Sequence, residues 1–248
     1  FTQPLRVVSR YSNDSAANNS DADFWYPPVT IDNRNEGNLD GWSFANGHLQ
    51  ASGWNATNAS YQDRSHWIIV FDKTQGQELT RVKVGTTARP DVAAAYPLTY
   101  NSRNSGWQIN YDFGSDARFL TDQLQLVSRY SSDAQDGEGS HVDFWYGPFQ
   151  AGTQNMANLD TAKISGNQLH LAGWHATAGE LGRANHYIII LDANGHEIAR
   201  QRVTNRSRPD VGRAYAGTYN ADNSGWTADF ALTPAMVEGP IRVVSCYS

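Results

Sequence analysis

Two tryptophans close the same phrase: His48-Leu49-Gln50-Ala51-Ser52-Gly53-Trp54 and, about 120 residues on, Gln168-Leu169-His170-Leu171-Ala172-Gly173-Trp174. A Trp at a strand end, where the chain enters a loop, can stack its face on a sugar ring. Trp25 and Trp145, inside the repeated Asp-Phe-Trp-Tyr, form a second such pair. All four compete with the commoner role of Trp in a small β-fold, which is core. Arg89-x-Asp91 and Arg208-x-Asp210 are the next candidates. A guanidinium grips a carboxylate or phosphate at two points, yet at this spacing Arg and Asp can also pair with each other, or Asp can cap a turn.

Other titratable groups point less clearly to a ligand. Arg81 with Lys83, and Arg200 with Arg202, alternate along two strand-like segments. Such a stripe could read an anionic polymer through avidity, or could simply keep a strand edge from pairing. Asp14, Asp21 and Asp23 in one loop, and Asp133, Asp136, Glu138 and Asp143 in another, offer oxygens that suit calcium. Their spacings differ and neither is an EF-hand, so no metal is expected. His66 and His186 each precede an apolar run and read as satisfied structural histidines. No paired-carboxylate or Ser/His/Asp set recurs with interpretable spacing, and there is no HExxH or P-loop. The expectation is a protein without catalytic residues or cofactor.

These residues sit in elements that repeat. Ser65-His66-Trp67-Ile68-Ile69-Val70-Phe71-Asp72 returns as Asn185-His186-Tyr187-Ile188-Ile189-Ile190-Leu191-Asp192. Consecutive apolar residues leave no polar face, so this segment reads as a strand buried on both sides. Arg6-Val7-Val8-Ser9-Arg10-Tyr11-Ser12 recurs at 125–131 and again at 242–248, where Cys246 replaces Arg. Asn46-Gly47 and Gly166-Asn167 supply the positive φ of tight hairpins. Pro90-Asp91 and Pro209-Asp210 open short helical inserts. About seven short strands in ~120 residues, joined by Gly and Asn turns, is a β-sandwich pattern. The fold expected is all-β: two tandem homologous Ig-like β-sandwich modules, 1–123 and 124–248, each with a short helical insert. The strand at 125–131 is open to sharing between them.

Composition narrows the class of partner. The 248 residues carry a net charge of −6, against the basic footprint of a nucleic-acid binder. Mean hydropathy is −0.58. No apolar run approaches the ~18 residues of a membrane span, and no signal-peptide pattern opens the sequence, as expected of a mature or excised chain. One cysteine, Cys246, allows no internal disulfide. Abundant Asn, Ser, Thr, Gly and Tyr, with 8 Trp, suits an extracellular β-module.

The set Asp-Phe-Trp-Tyr, Gly-Trp-x-Ala-Thr, His-[Trp/Tyr]-Ile-Ile, Arg-Pro-Asp-Val-x-x-Ala-Tyr and Asn-Ser-Gly-Trp resembles repeat modules of secreted, S-layer-associated surface proteins of lactobacilli and related lactic acid bacteria. The resemblance spans nearly the whole chain, twice. It implies a non-catalytic module at the cell surface that anchors a protein to the envelope through a wall polysaccharide or teichoic acid. A structural spacer or self-assembling surface-layer unit, in contact with neighbouring copies, is the alternative. A glycan-active enzyme ranks third.

Overall fold

The computed structural model describes residues 4–18, 22–31 and 33–248. In chain order the strands and helices are β1 (Val8–Tyr11), β2 (Ala22–Trp25), β3 (Asn35–Ala45), β4 (His48–Thr57), β5 (Ser65–Asp72), β6 (Gln77–Val84), α1 (Pro90–Ala95), β7 (Gly106–Asp112), α2 (Arg118–Thr121), β8 (Leu124–Ser131) and β9 (His141–Trp145). They continue as β10 (Asn155–Ser165), β11 (Gln168–Thr177), β12 (His186–Leu191), β13 (Glu197–Val203), α3 (Pro209–Ala214), β14 (Gly225–Ala231), α4 (Pro234–Val237) and β15 (Arg242–Tyr247). The fold is all-β, and every strand pairing is antiparallel.

Alternation decides which residues enter the core. Sheet β3-β4-β7 faces sheet β6-β5-β8-β9. Between them lie Phe44, Leu49, Ile68, Val70, Trp107, Ile109, Leu124 and Leu126, all buried. Sheet β10-β11-β14 faces β13-β12-β15 in the same manner over Leu169, Leu171, Ile188, Ile190, Trp226 and Phe230. The repeated heptad at 125–131 is β8, and it pairs with β5 across the 123/124 boundary, Ile68 opposite Ser128. Its third copy, β15, pairs with β12 with Ile188 opposite Ser245. Among the described residues its first copy, β1, pairs only with β2.

The hairpins form at Asn46-Gly47 (φ 51° and 78°) and at Gly166 (φ 58°). The Pro-led inserts are α1 and α3, each one and a half turns. Two short helices, α2 and α4, go beyond the sequence reading; they bring Phe119, Leu120 and Met236 in to close an end of each core.

The twin apolar runs fare differently. On β5 both faces are covered, because the 132–140 loop folds over the outer one: Gly137 lies against the Trp67 ring, and Lys83 Nζ donates to Ala134 O at 2.7 Å. On β12 the outer face, with Tyr187 and Ile189, is only half covered. The two-sided burial expected of this segment therefore holds for one copy; in the other no loop of the described residues lies over the strand.

Candidate functional site

The paired Arg and Asp are bound to each other. Arg89 donates from Nε and Nη2 to Asp91, and from Nη1 to Asp40 Oδ2 at 2.6 Å. Arg208 does the same with Asp210 and with Asp160 Oδ2, also at 2.6 Å. The guanidinium hydrogen bonds hold Asp91 and Asp210 down to about 2. Each arginine thus straps its insert to the bulge of β3 or β10 and has spent its fork internally.

The tryptophans divide. Trp174 is 9% exposed, packed against Tyr215 with Ala176, Val211 and Ala221. A ring so covered offers no open face to a sugar, so here the core role applies. Trp54 is half-buried, tilted against Tyr96 at 5.6 Å with the Arg89 guanidinium 5.8 Å from its centroid. Trp145 keeps an exposed face and meets Phe71 edge-on at 5.3 Å; Trp25 is exposed on β2.

The first arginine of each basic stripe is likewise spoken for. Arg81 pairs with Glu78 and Glu138, and Arg200 with Glu197. Glu138 of the acidic loop serves as a counter-ion to Arg81 and Arg129. Asp21 lies outside the described residues. Among the described residues no group of three or more His, Cys, Asp or Glu is arranged to hold a metal ion.

Two polar sites stand out among the described residues; of their members, sequence reasoning named only Trp54 beside the first and His186 in the second. The first is a groove of about 610 Å³ on the outer face of β3-β4-β7. It exists because period-two alternation sends Ser43, Gln50, Ser52, Gln108 and Asn110 outward, while the β3 bulge places side-chain-free Gly41 among them. Trp54 follows Gln50 and Ser52 on the same face and ends the row. None of the Gln50, Gln108 or Asn110 amides is engaged by another of the described residues, so all can be offered to a ligand. The second sheet pair lacks this chemistry: at the matching positions Lys163, His170 and Asp229 line up, and His170 Nδ1 binds Asp229 Oδ1 at 2.6 Å.

The second site is a cleft of about 390 Å³ in the second sheet pair, lined by Glu180, Arg183, His186, Arg202, Asn205 and Tyr247. Its hydrogen bonds run in one direction. Asn205 gives its NH₂ to Glu180 Oε1 at 2.8 Å, so its carbonyl accepts from His186 Nδ1 at 2.7 Å. His186 Nε2 then accepts from Ser245 Oγ at 2.7 Å. Ser245 has one proton and so accepts from His175 Nδ1 at 2.8 Å. His175 Nε2 faces Asn155 Oδ1 at 2.7 Å, and a neutral ring accepts at that nitrogen only with the Asn155 amide in its alternative orientation, NH₂ in place of the oxygen. Burial pushes His175 down to about 4 and lowers His186 as well. Glu180 is pushed up to about 7 by burial, against its two Asn donors, Asn205 and Asn220.

In the first sheet pair the order reverses and closes: His66 donates to Ser128 (2.7 Å), Ser128 to Asn55 (3.0 Å) and Asn55 to Asn35 (2.8 Å). Burial holds His66 neutral, down to about 3. Both networks tie their histidines to neighbouring side chains, while His66 Nδ1 in the first and Glu180 Oε2 in the second are buried without a partner among the described residues. The signal available in the sequence was the mismatch between copies: Asn55, Ser60 and Thr86 stand where His175, Glu180 and Asn205 stand.

Glu180 makes the second sheet pair pH-sensitive with a definite sign. Its folded pKa lies above the ordinary 4.5, so its contribution to stability is complete below about 4.5 and is lost as pH rises through about 7. His175 and His186 act oppositely, losing their contribution as pH falls below their ordinary 6.5 toward their lowered folded values. Glu180→Gln should be near neutral at acid pH and should stabilise above pH about 7, by at most roughly 3 kcal/mol at 1.36 kcal/mol per unit. Thermal melts of both chains across this range check it: the gain must grow with pH.

No protein family's model matches this chain, and no curated protein matches it. Among solved structures, a purple acid phosphatase, PPD1, from yellow lupin (Lupinus luteus) seeds aligns over 87% of this chain and 41% of its own length, at 10% identity and a TM-score of 0.27. Among the described residues no helix is long and apolar enough to cross a membrane.

Proposed function

We propose that the chain is a non-catalytic extracellular module that binds a neutral cell-wall or cell-surface glycan in the β3-β4-β7 groove and so holds a surface protein to the bacterial envelope. The observation that carries this is the row of uncommitted amides and hydroxyls ending at Trp54. Side-chain amides donate and accept at once, which suits sugar hydroxyls, and a flanking indole supplies an apolar face. An anionic polymer such as teichoic acid suits the surface less well, because Arg89 near the groove, Arg81 on β6 and Arg200 on β13 already hold carboxylates.

The test is co-sedimentation with purified bacterial walls, before and after acid extraction of their accessory polymers. Pelleting lost on extraction supports an accessory glycan as ligand. Trp54→Ala should weaken pelleting about tenfold, the worth of one stacked ring. Pelleting unchanged by extraction and by Trp54→Ala would count against the proposal. A self-assembling unit is the second reading, favoured by the apolar ribbon β1–β2.

A further inference from the structure

Within the first sheet pair one hydroxyl ties the two sheets together: that of Tyr146 accepts from Trp107 Nε1 at 2.7 Å and donates to Trp54 O at 3.0 Å. Between the two sheet pairs the tie is a side-chain amide, that of Asn220. The 215–220 turn of the second sheet pair lies on the β3–β4 hairpin of the first. Tyr219 is buried there, its ring centroid 6.5 Å from that of Phe113. Ala178 and Leu181 pack against the first core, and Gly152 N–H donates to Gly217 O at 2.6 Å.

Asn220 makes the polar part of this contact. Its backbone N–H donates to Phe44 O at 3.0 Å, and its side-chain oxygen accepts from Asn46 N–H. A backbone N–H can only donate, so the orientation of the amide is fixed and its NH₂ points back into the second sheet pair. There it donates to Glu180 Oε1 at 2.9 Å. Asn220 takes a left-handed backbone to do this, φ 51°, which a non-glycine residue keeps only when its surroundings hold it. Its counterpart in the first sheet pair, Asn101, sits at φ −99°. The Asn101 oxygen accepts from Thr57 N–H at 2.7 Å and its NH₂ donates to Asn55 O at 3.0 Å, all within one sheet pair. Ser60 stands there in place of Glu180. The left-handed turn and the carboxyl thus occur together, in the copy whose asparagine reaches across the junction.

The surroundings of Glu180 suit a neutral carboxyl. Oε1 takes both of its hydrogen bonds, from Asn205 and Asn220, and Oε2 is buried without a partner among the described residues. The other titratable groups around it are engaged elsewhere. His186 of β12 binds Asn205 and Ser245, His175 of β11 binds Ser245, and Tyr247 of β15 donates to His175 O at 3.1 Å. Burial keeps the Tyr219 hydroxyl protonated. Arg183 and Arg202 lie in the outer cleft and neither is paired with the carboxyl. A protonated Glu180 serves both amides through one oxygen. An ionised one is a buried charge with two neutral donors, and gains by turning toward the water and cations of the cleft. Turning out takes the acceptor away from Asn220.

We propose that Glu180 and Asn220 form a latch between the two sheet pairs, closed while the Glu180 carboxyl is protonated and released when it ionises. On release the 215–220 turn comes off the β3–β4 hairpin, a hinge motion in which each sheet pair keeps its own core. Burial raises Glu180 to about 7, above the ordinary 4.5, so the latch is whole in acid and is lost as pH rises through about 7. His175 and His186 are lowered by burial and act in the opposite sense, below their ordinary 6.5. The latch does not depend on glycan binding.

Amide hydrogen exchange of the full chain tests this, with rates expressed as protection over the free peptide so that the chemical dependence on pH drops out. The Asn46 and Asn220 amides report the junction, and Ile188, paired on both sides in β12, reports the second core. Between about pH 5.5 and about pH 8.5 the junction amides should lose at least about tenfold in protection, with Ile188 changing less. Glu180→Gln keeps the acceptor oxygen and both histidines but cannot ionise, so its junction amides should hold their protection at high pH. Asn220→Gly allows the left-handed backbone and removes the latch, so the Asn46 amide should exchange fast at both pH values. Wild-type junction amides that stay protected at high pH overturn the proposal. So does a loss that Glu180→Gln shares, a loss that Ile188 matches because the second sheet pair opens as a whole, or an Asn46 amide still protected in Asn220→Gly.

Discussion

Tyr146→Ala will cost the first sheet pair about 4–6 kcal/mol, the cavity left by a large buried ring plus the unpaired Trp107 indole. Tyr146 is 3% exposed and its ring lies 5.5 Å from that of Trp107. Its hydroxyl joins the two sheets, since Trp54 belongs to β4 and Tyr146 follows β9. Tyr146→Phe separates the terms: it keeps the volume and removes only the hydrogen bonds, for about 1–3 kcal/mol. Chemical denaturation followed through first-sheet-pair tryptophans measures both. Equal losses for the two variants would mean that the polar link dominates; no loss for either would mean that β9 does not close this core.

Gly53→Ala should be as damaging, by the opposite route. A Cβ on Gly53 would lie 2.5 Å from Asn38 O and 2.7 Å from the Trp107 ring. Neither can give way: the oxygen is backbone in the β3–β4 ladder and the ring is fully buried. Overpacking of this kind costs about 1–3 kcal/mol where a side chain can shift and more where backbone must, so about 3–5 kcal/mol is expected. Gly173→Ala repeats the experiment in the second sheet pair, where the Cβ would meet Asn158 O and lie 2.8 Å from the Trp226 ring. Because that core is smaller and already holds an unpaired indole, Gly173→Ala should unfold at lower denaturant than Gly53→Ala.

Much of the fold was legible because it rests on local rules. Alternation along Trp107–Phe113, the Asn46-Gly47 turn and the Pro-led inserts each carry their own geometry. What packs over a residue is not local. Ile69 and Ile189 occupy matching sites on matching strands, and only Ile69 has the 132–140 loop above it. Trp54 and Trp174 each follow a glycine at matching places on matching strands, yet their exposure differs through the insert and neighbours each meets. The groove was hidden for a related reason: Gln50, Gln108 and Asn110 are unremarkable singly, and only the register of three strands sets them side by side. Glu180 looked like a loop residue until Asn205 and Asn220, distant in sequence, enclosed it.

Recognition at the groove is tested most directly by isothermal titration of the accessory polysaccharide released from the walls. The wild-type chain is compared with one carrying Gln50→Ala, Gln108→Ala and Asn110→Ala. These side chains line an open face and make no internal hydrogen bonds among the described residues, so stability should change by no more than about 0.5 kcal/mol each. Saturable heat with the wild type, lost in the triple variant while its melting temperature is kept, is the predicted result. Equal heats for the two chains, or none with the wild type, would contradict glycan recognition at this site.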